Sequence, residues 1–551
     1  MTEKPARRGN MLSPPSLVGL AVGLLPVGLS FTPSLLPRPF MMQGVITGIC
    51  VALGYGLGVF AAWVVRRLTK WEPARRVRRI AWIVVLVATT AVMVAAVVVG
   101  ESWQNEVRGL LEMAPITWMF MASAIPVAAL MAALLVIISR ALRAAARALG
   151  RLFGRRLPQW AGLTVGGVIV ALAVVLLFVA GFKGFEALTN DIYGKTNGTT
   201  AEGVVQPASA ARSGSSASLV SWESLGMQGR NFVGRGPTVA QLQDFNQQPP
   251  KEPIRVYVGL DSAPTAEARA ALALQELERT GAFSRKLLVV MGCTGTGWIE
   301  PQSADPPEFM YNGDTAEVTI QYSFLPSWIS TITDKADASS AGKALFNAVY
   351  AAWSQLPAGS RPKLIAYGLS LGSFAGQAAF TSAQDLRDRT DGAYFAGTPN
   401  FSQPWRTIED TRDAGSPEWL PIYEKGSTVR FAAAPKYFAR PADPWNDLRV
   451  LYLQHGSDPV VWWSPHLFLH RPGWLGEPRA PDVSPHTTWF PVVTFLQVTV
   501  DQFYGTTVPN GYGHNYGNMS GDAWSAIAPP PGWTAQRAQD LQASIDKYRI
   551  E

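Results

Sequence analysis

The sequence predicts an α/β domain built on a mainly parallel sheet, preceded by an all-α transmembrane helical domain. Three observations carry this. The first 182 residues hold five apolar runs, each near the ~20 residues that a helix needs to cross a bilayer. From about residue 251 onward, short apolar strands alternate with helical patterns, as they do in a parallel sheet covered on both faces. Charge divides the same way: residues 1–182 carry a net +13 and the remainder −6, within an overall +7. The basic balance therefore belongs to the apolar third of the chain, and no nucleic-acid partner is expected.

The five runs are Leu17–Leu36, with Pro26 and Pro33; Met42–Val65, rich in glycine; Ile80–Val99, dominated by Val, Ala and Ile; Ile116–Ser139, with Pro126; and Trp160–Phe182. Backbone groups cannot be left unpaired in lipid, so each reads as a helix. A cleaved signal peptide fits the first run poorly, because it is long, lacks a small-residue cleavage site and is followed by four more. The runs contain few ionisable groups, which argues against a transporter with a proton or ion path.

Loop charge sets the expected orientation. In a five-span arrangement three basic segments share one side. They are the tail with Lys4, Arg7 and Arg8; the second connection with Arg66, Arg67, Lys70, Arg75, Arg76, Arg78 and Arg79; and the fourth with Arg140, Arg143, Arg147, Arg151, Arg155 and Arg156. The other side has the short Pro37–Phe40 turn and a loop with Glu101, Glu106 and Glu112. The basic side is expected in the cytoplasm. A multi-pass protein of the cytoplasmic (inner) membrane follows, with everything after Phe182 outside.

The chain has two cysteines, Cys50 in an apolar run and Cys293 in a distant loop, which excludes a disulfide framework. No CxxC or HExxH spacing occurs, so neither a metal nor a cofactor is expected. The sequence sets no oligomeric state.

Residues 183–250 read as a connector or lid, and 251–551 as the catalytic domain. Pro207–Ser218, rich in Ala and Ser, reads as flexible. Trp222–Pro237, with aromatic and glycine turns, reads equally as a collar or lid and as ordinary loop. Strands are expected at Ile254–Leu260, Lys286–Met291, Ala316–Phe324, Lys363–Tyr367, Ala393–Phe395, Thr428–Ala433 and Val450–Leu453, and helices at Thr265–Thr280, Ala341–Leu356 and from about Ser373. Such sheets hold ligands beyond the carboxyl ends of their strands.

The strand Lys363–Tyr367 runs into Gly368-Leu369-Ser370-Leu371-Gly372, a G-x-S-x-G in its strand–turn–helix context. A sharp turn lifts the Ser370 hydroxyl above the sheet, and the glycines allow strand and helix backbones to approach. A serine needs a base oriented by an acid, and in this arrangement the chain order is Ser, acid, His. Of five histidines (His455, His466, His470, His486 and His514), His514 lies in a Gly-rich loop near the end of the chain, Gly511-Tyr512-Gly513-His514-Asn515-Tyr516-Gly517, where such a base belongs. Asp458 sits in the loop after the late strand Val450–Leu453; Asp443 and Asp447 precede that strand, and Asp391 opens another. The candidate catalytic residues are therefore Ser370, Asp458 and His514.

An oxyanion needs preorganised N–H donors. Leu371, after the nucleophile, should supply one. Thr294 or Gly295, in the glycine loop Gly292–Trp298, should supply the other. Cys293 in that loop is a rival nucleophile without a base motif of its own. Seven tryptophans between Trp405 and Trp489 read equally as lining for an acyl cleft or lipid face and as core.

With these strings in hand, the chain resembles a bacterial family of α/β-hydrolases with an N-terminal multi-span membrane region. The resemblance covers nearly the whole chain. It includes Thr32-Pro33-Ser34-Leu35-Leu36-Pro37-Arg38, Thr294-Gly295-Thr296-Gly297-Trp298, Tyr322-Ser323-Phe324-Leu325-Pro326-Ser327-Trp328, Ser370-Leu371-Gly372-Ser373 and Gln454-His455-Gly456-Ser457-Asp458-Pro459-Val460-Val461-Trp462-Trp463-Ser464-Pro465. The family's elbow is usually Gly-Glu-Ser-Leu-Gly; Leu369 stands at the Glu position here. The resemblance implies the fold and the triad and no defined substrate. The expectation is a membrane-anchored serine hydrolase acting on a lipid or other acyl-ester substrate. An acyltransferase using the same residues is the first alternative. A non-catalytic envelope scaffold or transporter accessory is the second.

Overall fold

The computed structural model describes residues 15–69, 74–153, 158–476 and 478–548. Lys4, Arg7, Arg8, Lys70, Arg155 and Arg156 of the charge argument lie outside them. The chain forms two compact units. One comprises Met1–Leu188 together with Phe468–His470 and Ser484–Val500; the other comprises Thr189–Leu467, Arg471–Val483 and Asp501–Glu551.

The first unit is helical. Among the described residues, four helices are long and apolar enough to cross a membrane: Phe40–Thr69, Arg75–Leu110, Trp118–Phe153 and Trp160–Asn197. The expected first span is shorter than the sequence suggested. Its helix runs only Leu17–Phe31, 15 residues. The cause is local: Thr32 precedes Pro33 and takes the extended conformation (φ −54°, ψ 149°) that a following proline imposes. The other helices outrun their apolar stretches, because the arginines, glutamates and lysines that flank them are good helix formers. The fifth, expected to stop at Phe182, continues to Asn197.

Glycines set the packing of Phe40–Thr69. A Cβ at Gly44 would stand 2.5 Å from Val127 Cβ, and one at Gly58 only 2.7 Å from the Val18 carbonyl oxygen. Small residues on two faces of one helix thus admit two neighbours at close approach. The later segment Ser484–Val500 belongs to this unit as well. Val493 packs with Ile46 and Cys50. Gln497 Nε2 donates to the Thr32 carbonyl at 2.9 Å. His486 Nδ1 lies 2.7 Å from Glu106 Oε2, and Ser484 Oγ donates to the same carboxylate. The expected single block 251–551 is therefore interrupted, because its apolar 493–500 stretch finds its burial among the helices.

The second unit is a seven-stranded sheet, all parallel: β1 Ile254–Val258, β2 Leu287–Gly292, β3 Thr315–Ile320, β4 Lys363–Leu369, β5 Gly392–Ala396, β6 Val429–Ala432 and β7 Arg449–Leu453. Their order is β1-β3-β2-β4-β5-β7-β6. Every expected strand is present, although β3 ends at Ile320 and not at Phe324. Register decides which loops become neighbours. Gly292 of β2 pairs with Gly368 of β4, Leu369 of β4 with Ala396 of β5, and Ala396 with Leu453 of β7. The loops after β2, β4, β5 and β7 therefore leave the sheet side by side at its carboxyl edge.

Pro207–Ser218 is not the loose tether its composition suggested. The buried carboxylate of Glu276 accepts from Ser213 Oγ (3.0 Å), Ser218 Oγ (2.9 Å) and the Leu219 N–H (2.7 Å). Arg212 bridges to Arg255, in parallel with β1. A buried charge needs donors, and the serines supply them. Within Trp222–Pro237 the helix Gly226–Gly234 packs on β1, with Phe232 and Tyr257 ring centres 6.1 Å apart. It is a collar on the sheet's β1 edge. Four of the tryptophans, Trp405, Trp419, Trp462 and Trp474, are core.

Candidate active site

Ser370 follows β4 directly and caps the helix Leu371–Gln377 with φ 59° and ψ −131°. A non-glycine residue there carries about 1–3 kcal/mol of strain, the kind stored at functional sites. Close packing enforces it. A Cβ at Gly372 would collide with the Gly292 carbonyl oxygen, and one at Gly368 with that of Gly372. The Ser370 N–H is fixed by the Ala396 carbonyl at 2.9 Å.

Asp458 follows β7 and is fully buried. Its Oδ1 caps the short helix Pro459–Trp462 through the Val460 N–H (2.8 Å). Its Oδ2 lies 2.7 Å from His514 Nδ1 and accepts from Tyr516 Oη at 2.6 Å. The carboxylate holds the imidazole proton on Nδ1, which leaves the Nε2 lone pair available. Nε2 is buried and has no hydrogen-bond partner among the described residues. The His514 ring lies over Gly397, the residue after Ala396: a Cβ there would stand 2.5 Å from His514 Cε1. Only a glycine fits, and its φ of 54° also favours one.

The loop bearing His514 is stitched to the loop bearing Asp458. Gly513 donates its N–H to Ser457 Oγ at 2.9 Å. Ser457 in turn donates its N–H and hydroxyl to Asp482 Oδ2 at 2.8 and 2.7 Å. His455 Nδ1 meets the Gly513 carbonyl at 2.8 Å, and its ring stacks on Tyr516 at 4.3 Å. Burial holds the His455 imidazole below its ordinary range, hence neutral. Burial, with the Asp458 charge, pushes the Tyr516 phenol well above its usual value, so it remains a donor. Trp462 Nε1 ties the His455 carbonyl at 2.9 Å.

The oxyanion candidates separate. Leu371 is the first residue of its helix, where N–H groups lack intrahelical acceptors. The Thr294 N–H is already spent on the Trp298 carbonyl at 3.0 Å, so of the two loop candidates Gly295 is favoured. The helix Ser327–Thr333 lies against this loop, with Ser327 Cα 2.9 Å from a Cβ at Gly295. It exposes Trp328 and Ile332, and Trp328 meets the exposed Phe503 edge-on at 5.5 Å. Cys293 is buried, donates Sγ to the Ile320 carbonyl at 3.3 Å, and has its thiol pushed up to about 12 by burial. A thiol so placed is a poor nucleophile.

Residues 254–541, just over half of the chain, match the profile of a family described as Alpha/beta-hydrolase family. The chain belongs to this α/β-hydrolase family. Residues 31–237 match the profile described as the Alpha/beta-hydrolase family N-terminus. No curated protein and no solved structure matches the chain. Sequence reasoning named Ser370, Asp458 and His514 as candidates and passed over the residues that hold the last two in place. Tyr516 was within reach, two residues after His514 in the same loop. Asp482 had no local signal, because its partner Ser457 is 25 residues away.

Proposed function

We propose that this α/β-hydrolase is a membrane-tethered serine esterase, lipase-like, acting on acyl esters of cell-envelope lipids or glycans. The reading rests on one observation above all: a serine at a positive-φ elbow after β4 and, against Gly397 after the neighbouring β5, a histidine whose Nδ1 is held 2.7 Å from a buried aspartate. His514 Nε2 takes the proton as Ser370 Oγ attacks the ester carbonyl. The N–H groups of Leu371 and Gly295 hold the oxyanion. His514 then protonates the departing alcohol, and water, deprotonated by His514, releases the acyl group from Ser370. Asp458 keeps the imidazole in the productive tautomer. The envelope location is supported by the four membrane-length helices and the one-sided arginines.

A fluorophosphonate probe should label the wild-type protein and spare Ser370→Ala. Labelling of both equally removes the nucleophile assignment, and labelling of neither favours the scaffold reading. Products formed with an added alcohol separate hydrolysis from acyl transfer. Alkaline phosphatase fused after Asn197 should be active; a silent fusion there, with an active cytoplasmic reporter, reverses the orientation.

A further inference from the structure

Among the described residues, the carboxyl edge of the sheet carries a cation that ester hydrolysis does not use. Lys335 opens the helix Lys335–Ser354, which leads back to β4 and so begins at the edge where the strands end. Its Nζ lies 3.5 Å from the centre of the Phe401 ring and 5.5 Å from that of Phe374. The two rings meet edge to face at 5.2 Å. Both belong to loops and helices that build the candidate site. Phe374 is one turn beyond Ser370 and donates its N–H to the Ser370 carbonyl at 3.3 Å. Phe401 is four residues beyond Gly397, on which the His514 ring rests.

Lys335 makes no ion pair among the described residues. Its neighbour Asp334 is turned to Ser323 Oγ at 2.5 Å. Partial burial lowers the lysine's pKa. A cation held on ring faces still has N–H donors directed away from them. The exposed Trp328, Ile332 and Phe503 supply apolar surface at the same edge.

We infer that Lys335 recognises a negative charge on the substrate, so that the preferred ester is an anionic amphiphile carrying a phosphate or carboxylate near its acyl group. This rests on the hydrolase reading above, and its test has an arm that does not need turnover. First, compare kcat/KM for nitrophenyl hemiglutarate, which is anionic, and nitrophenyl butyrate, which is neutral. Lys335→Met should lower the anionic-to-neutral ratio about tenfold, and Lys335→Arg should restore most of it. Second, titrate hexyl phosphate into Ser370→Ala with and without Lys335→Met in neutral detergent. Affinity should fall about tenfold, and raising ionic strength should shrink the difference. An unchanged ratio, or hexyl phosphate affinity independent of residue 335, overturns the inference. Should neither ester be cleaved by the wild type, the catalytic reading fails while the phosphate titration still decides the role of Lys335.

Discussion

The strands of the sheet unit are buried almost residue for residue, whereas the most apolar stretch of the helix Trp160–Asn197 is only 6% buried by protein. Valine, leucine and alanine dominate both. The difference lies in what covers them: protein in one unit, and in the other an apolar surface whose length and composition suit a lipid-like surrounding. Where protein covers, atomic fit is demanding. Where lipid covers, only the seams between helices are demanding.

The largest effects should come from the sheet unit's carboxyl edge. Ser370→Ala should reduce ester turnover by about 10⁴–10⁶ with the circular-dichroism spectrum retained; a loss under tenfold would make this edge as forgiving as a lipid-facing helix. Gly397→Ala places a methyl inside the His514 ring's space, and the displaced base should cost about 10² in kcat. Tyr516→Phe removes one of two donors to Asp458 Oδ2 and should cost about tenfold in kcat, as loss of a hydrogen bond to a charged group does.

The contrast within the helical unit is smaller and is read from thermal unfolding in detergent. Gly58→Leu overpacks a helix seam and should destabilise by about 1–3 kcal/mol. Leu177→Ala, at a position 73% exposed, loses little protein contact and should leave the melting temperature nearly unchanged. Equal losses would mean that protein covers Leu177. The smallest effect concerns Cys293. Its folded pKa of about 12 lies above the ordinary 9.0, so the stability it contributes is full below about pH 9 and is lost as pH rises toward 12. Iodoacetamide at pH 8 should therefore alkylate it only in denaturant.

Much of this was legible in the sequence because the signals were local. Seven strands followed from short apolar runs, and Ser370 from a five-residue turn. Asp458 and His514 followed from chain order. What escaped was non-local. Nothing near Pro207–Ser218 announced that Glu276, far along the chain, would collect its serines. Nothing near Val493 announced burial against Ile46 and Cys50. The helix ends were misjudged because hydropathy measures the apolar stretch, whereas a helix continues until a proline or glycine stops it, as Pro33 stops the first.

The segment Ser484–Val500 also imposes an order on synthesis. The helices are made early, but the side chains that complete their unit are encoded after β7 and before the His514 loop. When the fifth helix has left the ribosome, Ile46, Cys50 and the Thr32 carbonyl still await Val493 and Gln497. The helical unit is thus unfinished for as long as the sheet is being translated. A nascent chain halted before residue 484 holds five helices with an uncovered seam, a natural ligand for a membrane chaperone or a target for quality-control proteolysis.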